Sequence, residues 1–439
     1  MRPRFPIRRT RLAAALMLLA AAPAAGQPSD AELIRLPPPG DEAIQIDTPI
    51  GLTLAAAESR ALAVSPSVSA LAAEARAARW QAVQAGLNPN PTVGYTANEI
   101  GADGAAGQQG AYVSQRFVRG GKLGYASAVE SREARRLEQE IAAERRRVLT
   151  DTRTAFYEAF LSQEQVDLAR QLTQLSQSAA ETSGQLFEAG EGPRTNSLQG
   201  QIEAGRADAA RRRAEQRLLA DWRRLAALTA TPSDPVQQLA AKRDDLLRLA
   251  DDWDTLLAET LAASPEVAER LAAISRARCQ IAYQRSLAVP DVTAQLTVQY
   301  DDANQTTITS VQIGAPLLLY DRNQGGIGAA QAELTAATRR LDATQQALER
   351  RLAEALGRYQ TARTTVEALR TEVLPRAQEN LELATEGYQA GEIGFLDLLT
   401  AQRTYFEVSL ELLDAFREVN ASGQLIQGRL LAGAGGVQP

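Results

Sequence analysis

The acidic and basic side chains are the residues of this sequence that could do chemistry, because the other usual catalytic types are almost missing. The 439 residues include 53 Asp and Glu, 47 Lys and Arg, one cysteine and no histidine. Without histidine there is no imidazole metal ligand, and a Ser-His or Cys-His nucleophile pair has no base. Two carboxylates alone can hydrolyse a glycosidic bond, so a secreted carboxylate hydrolase stays open as an alternative.

The spacing of these charges argues against an active site. Most acidic residues alternate with arginines in alanine-rich and leucine-rich stretches, as they do on the solvated face of a helix. The single cysteine, Cys279, lies at a helical position and is interpreted as a small buried apolar residue. The phosphate-binding pattern GxxxxGK[ST] does not occur. We therefore predict that the protein is not an enzyme and that it has no catalytic residue, no cofactor and no resident metal site.

The composition and net charge indicate the class of protein. Hydrophobic residues make up 45% of the chain but aromatic residues only 5%, which is typical of long helices and coiled coils. The formal net charge of -6 provides no basic surface for nucleic acid, so we exclude that partner.

The N-terminal residues 1–26 have the pattern of a secretory signal peptide. Five arginines precede an apolar stretch from Leu12 to Ala22, and small residues follow up to Gly26. The Arg8-Arg9 pair also allows twin-arginine export, although Sec export fits the region better. No cysteine lies near the predicted cleavage site, so we expect no N-terminal lipid, and residues 27–50 are predicted to be an N-terminal extension. No later segment is apolar enough to span a bilayer as a helix, so any membrane passage is expected to use a closed barrel.

The sequence contains an internal repeat at an offset of about 200 residues. Ser65-Pro66 recurs as Ser264-Pro265, each predicted to be a helix N-cap followed by proline at the first helical position. LFEAGEG at 186–192 recurs as GYQAGEIG at 387–394. We predict a first repeat over 51–230, a linker over 231–262, a second repeat over 263–431 and a C-terminal tail over 432–439.

Each repeat is predicted to contain two strands, at 91–99 and 110–117 and at 291–300 and 306–315. In DVTAQLTVQY, 291 to 300, apolar residues from Val292 to Tyr300 alternate strictly with threonine and glutamine. Strands of about 9 to 11 residues with one apolar and one uncharged polar face are typical of outer-membrane barrels. Four strands cannot close a barrel around a pore, so we expect the subunit to share its barrel with other copies. A soluble sheet with one solvated face is the alternative.

Long helices are predicted at 122–185, 194–229, 325–386 and 395–431. From Gly325 to Val373, apolar or small residues recur in steps of three and four with one slip, as in a coiled-coil seam with a single stutter. At 1.5 Å per residue, a helix of roughly 60 residues is about 90 Å long. The stretch PLLLYDRNQGGIGAAQAEL, 316 to 334, is interpreted as the point where the chain leaves the membrane. Tyr320 would then lie in an interfacial aromatic belt, Asp321, Arg322 and Asn323 would cap and turn the chain, and Gly325, Gly326 and Gly328 would permit the change of direction.

Two motifs carry a resemblance to a known family. QRFVRGGKLGYASA in the first half, with its turn at Gly120, Gly121 and Lys122, and GAPLLLYDRNQGGIGAAQAEL in the second resemble the TolC-type outer-membrane factors, and among them the CzcC/CusC-like branch of heavy-metal efflux. The resemblance extends from about Leu52 to Leu431. Some members of that branch are lipoproteins, and this chain differs from them in lacking a lipobox cysteine.

The resemblance implies an α+β membrane protein that forms a homotrimer. Each subunit would give four strands to one 12-stranded outer-membrane β-barrel, continued below by a periplasmic α-helical coiled-coil barrel with an equatorial belt near 230–260 and the C-terminal end. It further implies passive export to the cell exterior, a periplasmic adaptor protein and an inner-membrane pump of the resistance-nodulation-division class as partners, and heavy-metal cations as substrate. A duct for drug efflux or type I secretion would use the same architecture, and a periplasmic coiled-coil adaptor or structural protein is a further alternative.

The resemblance also assigns residues at the periplasmic end. Adaptor docking is expected at two helix turns, which comprise Ala189, Gly190 and Glu191 and likewise Ala390, Gly391 and Glu392. Asp397 matches an aspartate that constricts the closed entrance in the family, while the family's second acidic position is Thr400 here. Three copies of Asp397 would form an acidic ring that favours cations. The alternatives are ordinary helix-breaking turns and a solvated or capping aspartate.

Overall fold

The architecture is described from a computed structural model, which covers residues 51–101, 106–233, 235–247 and 252–430. The predicted signal peptide at 1–26, the N-terminal extension at 27–50 and the C-terminal tail at 432–439 lie outside these described residues.

Long helices form most of the described chain. No helix within these ranges combines the length and the apolar character that a bilayer crossing requires. The longest helix contains 67 residues, which corresponds to about 100 Å. The helices are α1 (Leu54–Val64), α2 (Pro66–Ala85), α3 (Lys122–Glu188), α4 (Arg194–Thr229), α5 (Trp253–Ala263), α6 (Pro265–Leu287), α7 (Gln324–Ala368), α8 (Leu374–Gln389) and α9 (Phe395–Gln427).

The described strands form two sheets. In one, β1 (Leu52–Thr53) pairs in parallel with β4 (Leu239–Ala240). The other is an antiparallel sheet of four strands in the order β2-β3-β5-β6, and each strand begins or ends one or two residues from its predicted bounds. These strands are β2 (Thr92–Asn98), β3 (Gln108–Phe117), β5 (Val292–Asp301) and β6 (Thr306–Gly314).

One face of the four-stranded sheet is apolar and open to solvent in the single subunit. Its register aligns Val93, Val113, Leu296 and Val311 in one row across all four strands. Val93 is 75% exposed and Val311 70% exposed, which is the reverse of a soluble sheet that packs its apolar face on a core. Strands β2 and β6 lie at the two edges and pair on one side only within the described chain.

The helix predicted over 325–386 is interrupted, so the prediction of one continuous helix is wrong there. A π-helical segment at Leu369–Val373 separates α7 from α8, with the Leu374 N–H donating to the Leu369 carbonyl five residues earlier. Pro375 explains the break, because proline has no N–H to donate to the preceding turn. Helix α3 contains no proline and is continuous.

The segment predicted as a linker, 231–262, is partly structured. It contains β4, a 3₁₀ turn (Arg243–Leu247) and most of α5. Proline follows the cap of α2 and of α6 as expected, but only Ser65 makes the capping bond, accepting from the Val68 N–H at 3.4 Å. Ser264 is buried and its hydroxyl has no partner among the described residues.

The main hydrophobic core lies near the middle of α3 and in the C-terminal halves of α4, α7 and α9. There the aromatic rings of Phe156, Trp222, Tyr359 and Phe416 are at most 1% exposed. They come from α3, α4, α7 and α9, so one core joins all four long helices, and β1, β4 and α5 pack beside it. Burial of these apolar side chains is the main stabilising contribution to this region.

The order of the helices sets the geometry of the end remote from the sheet. Helix α3 packs against α4 and α9, and α9 packs against α7 and α8, so the layer there runs α4-α3-α9-α8. We call α3 and α4 with their turn the first hairpin, and α8 and α9 with theirs the second hairpin. The element order of 54–229 also recurs over 253–427, apart from the π segment.

Candidate functional site

The turn of the first hairpin is a Schellman motif. Helix α3 ends at Glu188 with Ala189 as its C-cap, and Gly190 has a φ of +77°, in the left-handed region that favours glycine. The Gly190 N–H donates to the Phe187 carbonyl at 3.0 Å and the Glu191 N–H to the Leu186 carbonyl at 2.8 Å. These bonds satisfy carbonyls that the helix end would otherwise leave without a partner.

The turn of the second hairpin has the same hydrogen bonds. Gly391 has a φ of +75°, its N–H donates to the Tyr388 carbonyl at 3.1 Å, and the Glu392 N–H donates to the Gly387 carbonyl at 2.8 Å. The two turns that sequence analysis selected therefore share one backbone conformation, and all six of their selected residues are exposed. A Cβ at Gly190 or Gly391 would meet no atom within 4 Å, so the positive φ, and not space, is what requires glycine.

Asp397 lies in the first turn of α9 and caps it. Its Oδ2 accepts from the Gly394 N–H at 3.2 Å, and its own N–H donates to the Gly394 carbonyl at 3.1 Å. Asp397 and Thr400 are both exposed and lie three residues apart on one side of the helix. The Thr400 hydroxyl donates to the Leu396 carbonyl at 2.8 Å. The carboxylate thus has a local structural role, while its exposed position also allows it to act on solutes.

A groove of about 580 Å³ lies between the two hairpins beside these turns. Leu186 of the first hairpin and Tyr388, Ile393 and Gln402 of the second line it. Burial raises the pKa of Tyr388. Gln402 is only 3% exposed, and its Nε2 has no partner within the described chain. The groove is not visible in the sequence, because its residues meet only after both hairpins pack.

The first strand-to-helix turn is held by an ion pair. Gly120 and Gly121 both have φ near +70°, and a Cβ at Gly120 would lie 2.8 Å from Cβ of Val289. The Lys122 Nζ donates to Asp291 Oδ1 at 2.6 Å, and the same oxygen accepts from the Arg119 N–H at 3.2 Å. Because Asp291 immediately precedes β5, the pair connects the start of α3 to the second strand pair.

In the second strand-to-helix turn, Asn323, one of the three residues expected to cap and turn the chain, adopts the left-handed conformation. Asn323 has a φ of +57°, and its Nδ2 donates to the backbone and side-chain oxygens of Gln284, each at 2.7 Å. Asp321 Oδ1 accepts from the Asn323 N–H at 2.8 Å. The prediction that Gly325 turns the chain is wrong, because it lies within α7 with open space beside it, whereas a Cβ at Gly326 would approach Asn323 Oδ1 at 2.4 Å. Arg322 lies in this turn, where its N–H donates to Gln324 Oε1 at 2.9 Å.

A buried charged cluster in the core was not predicted. Arg417 of α9 is 7% exposed and donates to Asp414 Oδ1 at 2.5 Å and to Gln165 Oε1 at 2.6 Å. Its Nε lies 3.8 Å from the carboxylate of Glu158. Burial raises the pKa of Glu158, and the positive charge of Arg417 opposes that shift. In the sequence Arg417 resembles the many solvated arginines, so only the buried apolar residues around it could have indicated its position.

The described residues hold no group of three or more His, Cys, Asp or Glu side chains placed to bind a metal ion. Cys279, predicted to be buried, is only partly buried.

The chain is similar to known proteins over most of its length. The model of the family described as "Outer membrane efflux protein" matches residues 58–231 and 256–426. The chain is also 26% identical, over 363 residues, to the cobalt-zinc-cadmium resistance protein CzcC of Cupriavidus metallidurans, which covers 82% of this chain and 86% of that protein.

Solved structures share the fold. A membrane protein from Pseudomonas aeruginosa superposes with a TM-score of 0.72 at 18% identity, covering 86% of this chain and 92% of that one. CusC, whose crystal structures concern transmembrane channel formation, superposes with a TM-score of 0.69 at 17% identity, covering 87% and 93% of the two chains. The resemblance seen in the sequence is confirmed.

Proposed function

Because the chain belongs to the outer membrane efflux protein family, we propose that it is the exit duct of a tripartite efflux system. Substrate delivered by an inner-membrane pump of the resistance-nodulation-division class would diffuse through the duct, across the outer membrane, to the cell exterior. The chain itself supplies no energy, since its sequence contains no nucleotide-binding pattern.

The observation that carries this proposal is the four-stranded sheet with an exposed apolar face and two free edges. The apolar side chains could face the hydrocarbon of a bilayer. Closure of the sheet would give the unpaired N–H and C=O groups of β2 and β6 hydrogen-bond partners on a neighbouring strand. Three subunits would supply twelve strands, an even number within the usual range of outer-membrane barrels.

The helices would continue this barrel through the periplasm. Helix α3 alone, with 67 residues, is about 100 Å long, and the shared hydrophobic core would hold the stalk together. We attribute the matching order of elements in 54–229 and 253–427 to duplication of one unit, with 231–262 as the equatorial linker between the two copies.

The two Schellman turns at the far end are the proposed docking points for the periplasmic adaptor. They are exposed, have the same backbone and lie beside one groove, so an adaptor could engage both in a similar way. Opening of the entrance would separate the helices near Asp397 and Thr400, whose three copies would line it.

Heavy-metal cations are the proposed substrate. Support comes from the similarity to a cobalt-zinc-cadmium resistance protein and from Asp397, which would give the entrance a ring of negative charge. A duct must release its substrate readily, and the described residues place no ligand cluster that would hold a cation. Drug efflux or type I secretion is the second candidate, since the same fold serves either. A periplasmic coiled-coil adaptor or structural protein would leave the apolar strand face without a purpose.

Deletion of the gene and complementation with the intact chain test this function. We expect greater sensitivity to zinc, cobalt, cadmium, copper or silver, restored by complementation, and a heat-modifiable trimer in outer-membrane fractions. Sensitivity to drugs alone would contradict the metal substrate, and a water-soluble monomer would contradict the duct.

A further inference from the structure

The four-stranded sheet has a polar face opposite its apolar face. Side chains alternate along a strand, so the row that contains Tyr112 projects away from the row that contains Val113. In this row Tyr112 lies between Gly94 on β2 and Thr297 on β5, with Ser310 on β6 beyond them. The next row toward the helices is polar and uncharged throughout, and consists of Thr92, Ser114, Gln295 and Gln312.

Tyr112 is the single aromatic side chain on the polar face of these four described strands. The other aromatic residues of the strands project from the apolar face, and they are Tyr95, Phe117 and Tyr300. Aromatic residues on the lipid-facing side are typical of outer-membrane barrels. The ring of Tyr112 lies on the other side of the sheet and requires a different explanation.

The ring of Tyr112 lies over Gly94. A Cβ at Gly94 would be 2.6 Å from the Cε1, Cζ and Oη atoms of Tyr112, much closer than the contact distance of about 3.5–4.0 Å. The ring therefore leans from β3 across β2 and occupies the space of the missing side chain. Tyr112 is half-buried as a result, since one side of the ring covers the backbone of β2.

The other side of the ring is open within the part of the chain that the structure describes. No second aromatic ring and no cationic side chain of those residues lies against it. An aliphatic side chain could also cover a glycine on the neighbouring strand, so packing alone does not require tyrosine. An aromatic ring adds a face of negative potential, which attracts cations and stacks with other planar groups.

The charged side chains of the polar face lie at a distance from Tyr112. Arg116 is four residues away along β3, and Asp301 pairs with Gln108, four residues away in the other direction. Four residues of a strand span about 13 Å, beyond the Debye length of about 8 Å at physiological ionic strength. The ring, and not a neighbouring charge, therefore supplies most of the attraction that a cation meets at this level of the sheet.

We propose that Tyr112 is a binding site for planar aromatic cations on the inner wall of the barrel. The inference rests on the proposed duct, in which the apolar face contacts lipid and the polar face lines the lumen, and it adds a class of solute that the lumen retains. Three subunits would place three such rings at one level. A twelve-stranded barrel is wider than an eight-stranded one, whose own side chains fill it, so a solute has room beside each ring.

Equilibrium binding of proflavine, a fluorescent planar cation, to the purified trimer tests the site. Tyr112→Leu should weaken binding about two- to fivefold, the loss expected for one exposed cation–π contact. Tyr112→Phe keeps the ring and should bind as the unchanged protein does. Tyr300→Leu is the matched control, because Tyr300 is 49% exposed on the apolar face, and it should have no effect. Fluorescence anisotropy measures the dissociation constant of each variant.

Gly94→Ala tests the position of the ring without removing it. The added Cβ would collide with Tyr112 and move the ring off β2, so binding should weaken about as much as in Tyr112→Leu. In the Tyr112→Leu background the same change should have no further effect. Gly314→Ala is the matched control on the same face, since a Cβ there meets no atom within 4 Å. Unchanged or tighter binding in Gly94→Ala would overturn the role of the leaning ring.

The outcomes separate this inference from the proposed function. An intact heat-modifiable trimer in which Tyr112→Leu binds proflavine as tightly as the unchanged protein would overturn the site and leave the duct in place. Acridone has the same three fused rings without the charge, and an equal loss of acridone binding in Tyr112→Leu would overturn the preference for cations. A protein that is monomeric before any substitution would overturn the duct itself.

Discussion

The two hairpins have the same turn but different returning helices. Gly190 and Gly391 differ by 2° in φ and make the same hydrogen bonds. Helix α4 then exposes arginines over most of its length, whereas α9 exposes Glu407, Glu411 and Asp414 and buries Arg417. Both turns need a left-handed residue, so their backbone is alike, while the surface of the helix that follows is free to differ. The two returning helices thereby carry opposite net charge, since arginines outnumber acidic residues in α4 and acidic residues outnumber arginines in α9.

The largest expected effect tests whether both returning helices depend on one core. Trp222→Ala in α4 and Phe416→Ala in α9 should each lower the free energy of unfolding by about 3–5 kcal/mol, because both rings are fully buried in the same cluster. Denaturant titration in detergent measures the loss, with Leu410→Ala, 37% exposed, as the mild control. A large loss in only one helix would mean that the hairpins are stabilised separately.

The next effect concerns the buried charge that only α9 carries. Arg417→Met removes the largest cationic influence on the half-buried Glu158, leaving the weaker ones of Arg217 and Arg224, and should cost about 3 kcal/mol near neutral pH. Burial already raises the pKa of Glu158, and the substitution raises it further.

A carboxyl whose folded pKa exceeds its unfolded pKa destabilises the protein at high pH, and the penalty fades as the pH falls through the folded pKa toward about 4.3. Unfolding of Arg417→Met should therefore show a smaller loss at pH 5.5 than at pH 7.5. Glu158→Gln in the same background should remove this pH dependence, and a loss that does not vary with pH would contradict the assignment.

A smaller effect tests the shared turn. Gly190→Ala and Gly391→Ala should each destabilise by roughly 1–2 kcal/mol, the cost of a left-handed conformation in a residue with a Cβ. Gly205→Ala, in the helical interior with open space, should stabilise by up to about 1 kcal/mol. Thermal unfolding of the three variants compares them directly. Unequal losses at positions 190 and 391 would show that one turn is supported by contacts the other lacks.

The smallest effect on stability is expected at one of the positions where the two turns differ. Asp397 occupies in the second hairpin the place of Asn196 in the first, each donating its N–H three residues back at 3.1 Å. Asp397→Asn should change stability by less than about 1 kcal/mol yet lower the cation preference of single channels in planar bilayers. Asn196→Asp is the matched exchange and should raise that preference. If neither variant alters the ion selectivity, Asp397 only caps helix α9 and does not act on the permeating ion.

Local patterns in the sequence were enough to predict the strands and the hairpin turns. The alternation from Val292 to Tyr300 depends only on residue spacing, and the left-handed position after each long helix is marked by glycine. Interactions between distant segments were not visible in the same way. Asn323 adopts its turn because Gln284, 39 residues away, accepts from its side chain, and the groove at Gln402 exists only once two hairpins pack.

Burial of a charge was equally hidden from the sequence. Arg417 follows the exposed Asp414 by three residues, the same helical step that separates Asp414 from the exposed Glu411. Its burial depends on contacts with Glu158 and Gln165 on another helix. The break before Pro375 could have been predicted more sharply, since a proline ten or more residues inside a predicted helix removes a hydrogen bond wherever it lies.

The two open edges of the four-stranded sheet have a consequence for how the subunit is made. In a single subunit these edges present unpaired strand backbone beside an exposed apolar face, a combination that favours fibril-like association. If the proposed duct assembles from single subunits, assembly therefore competes with aggregation, and a chaperone that covers β2 and β6 would raise the yield of trimers without altering their final stability.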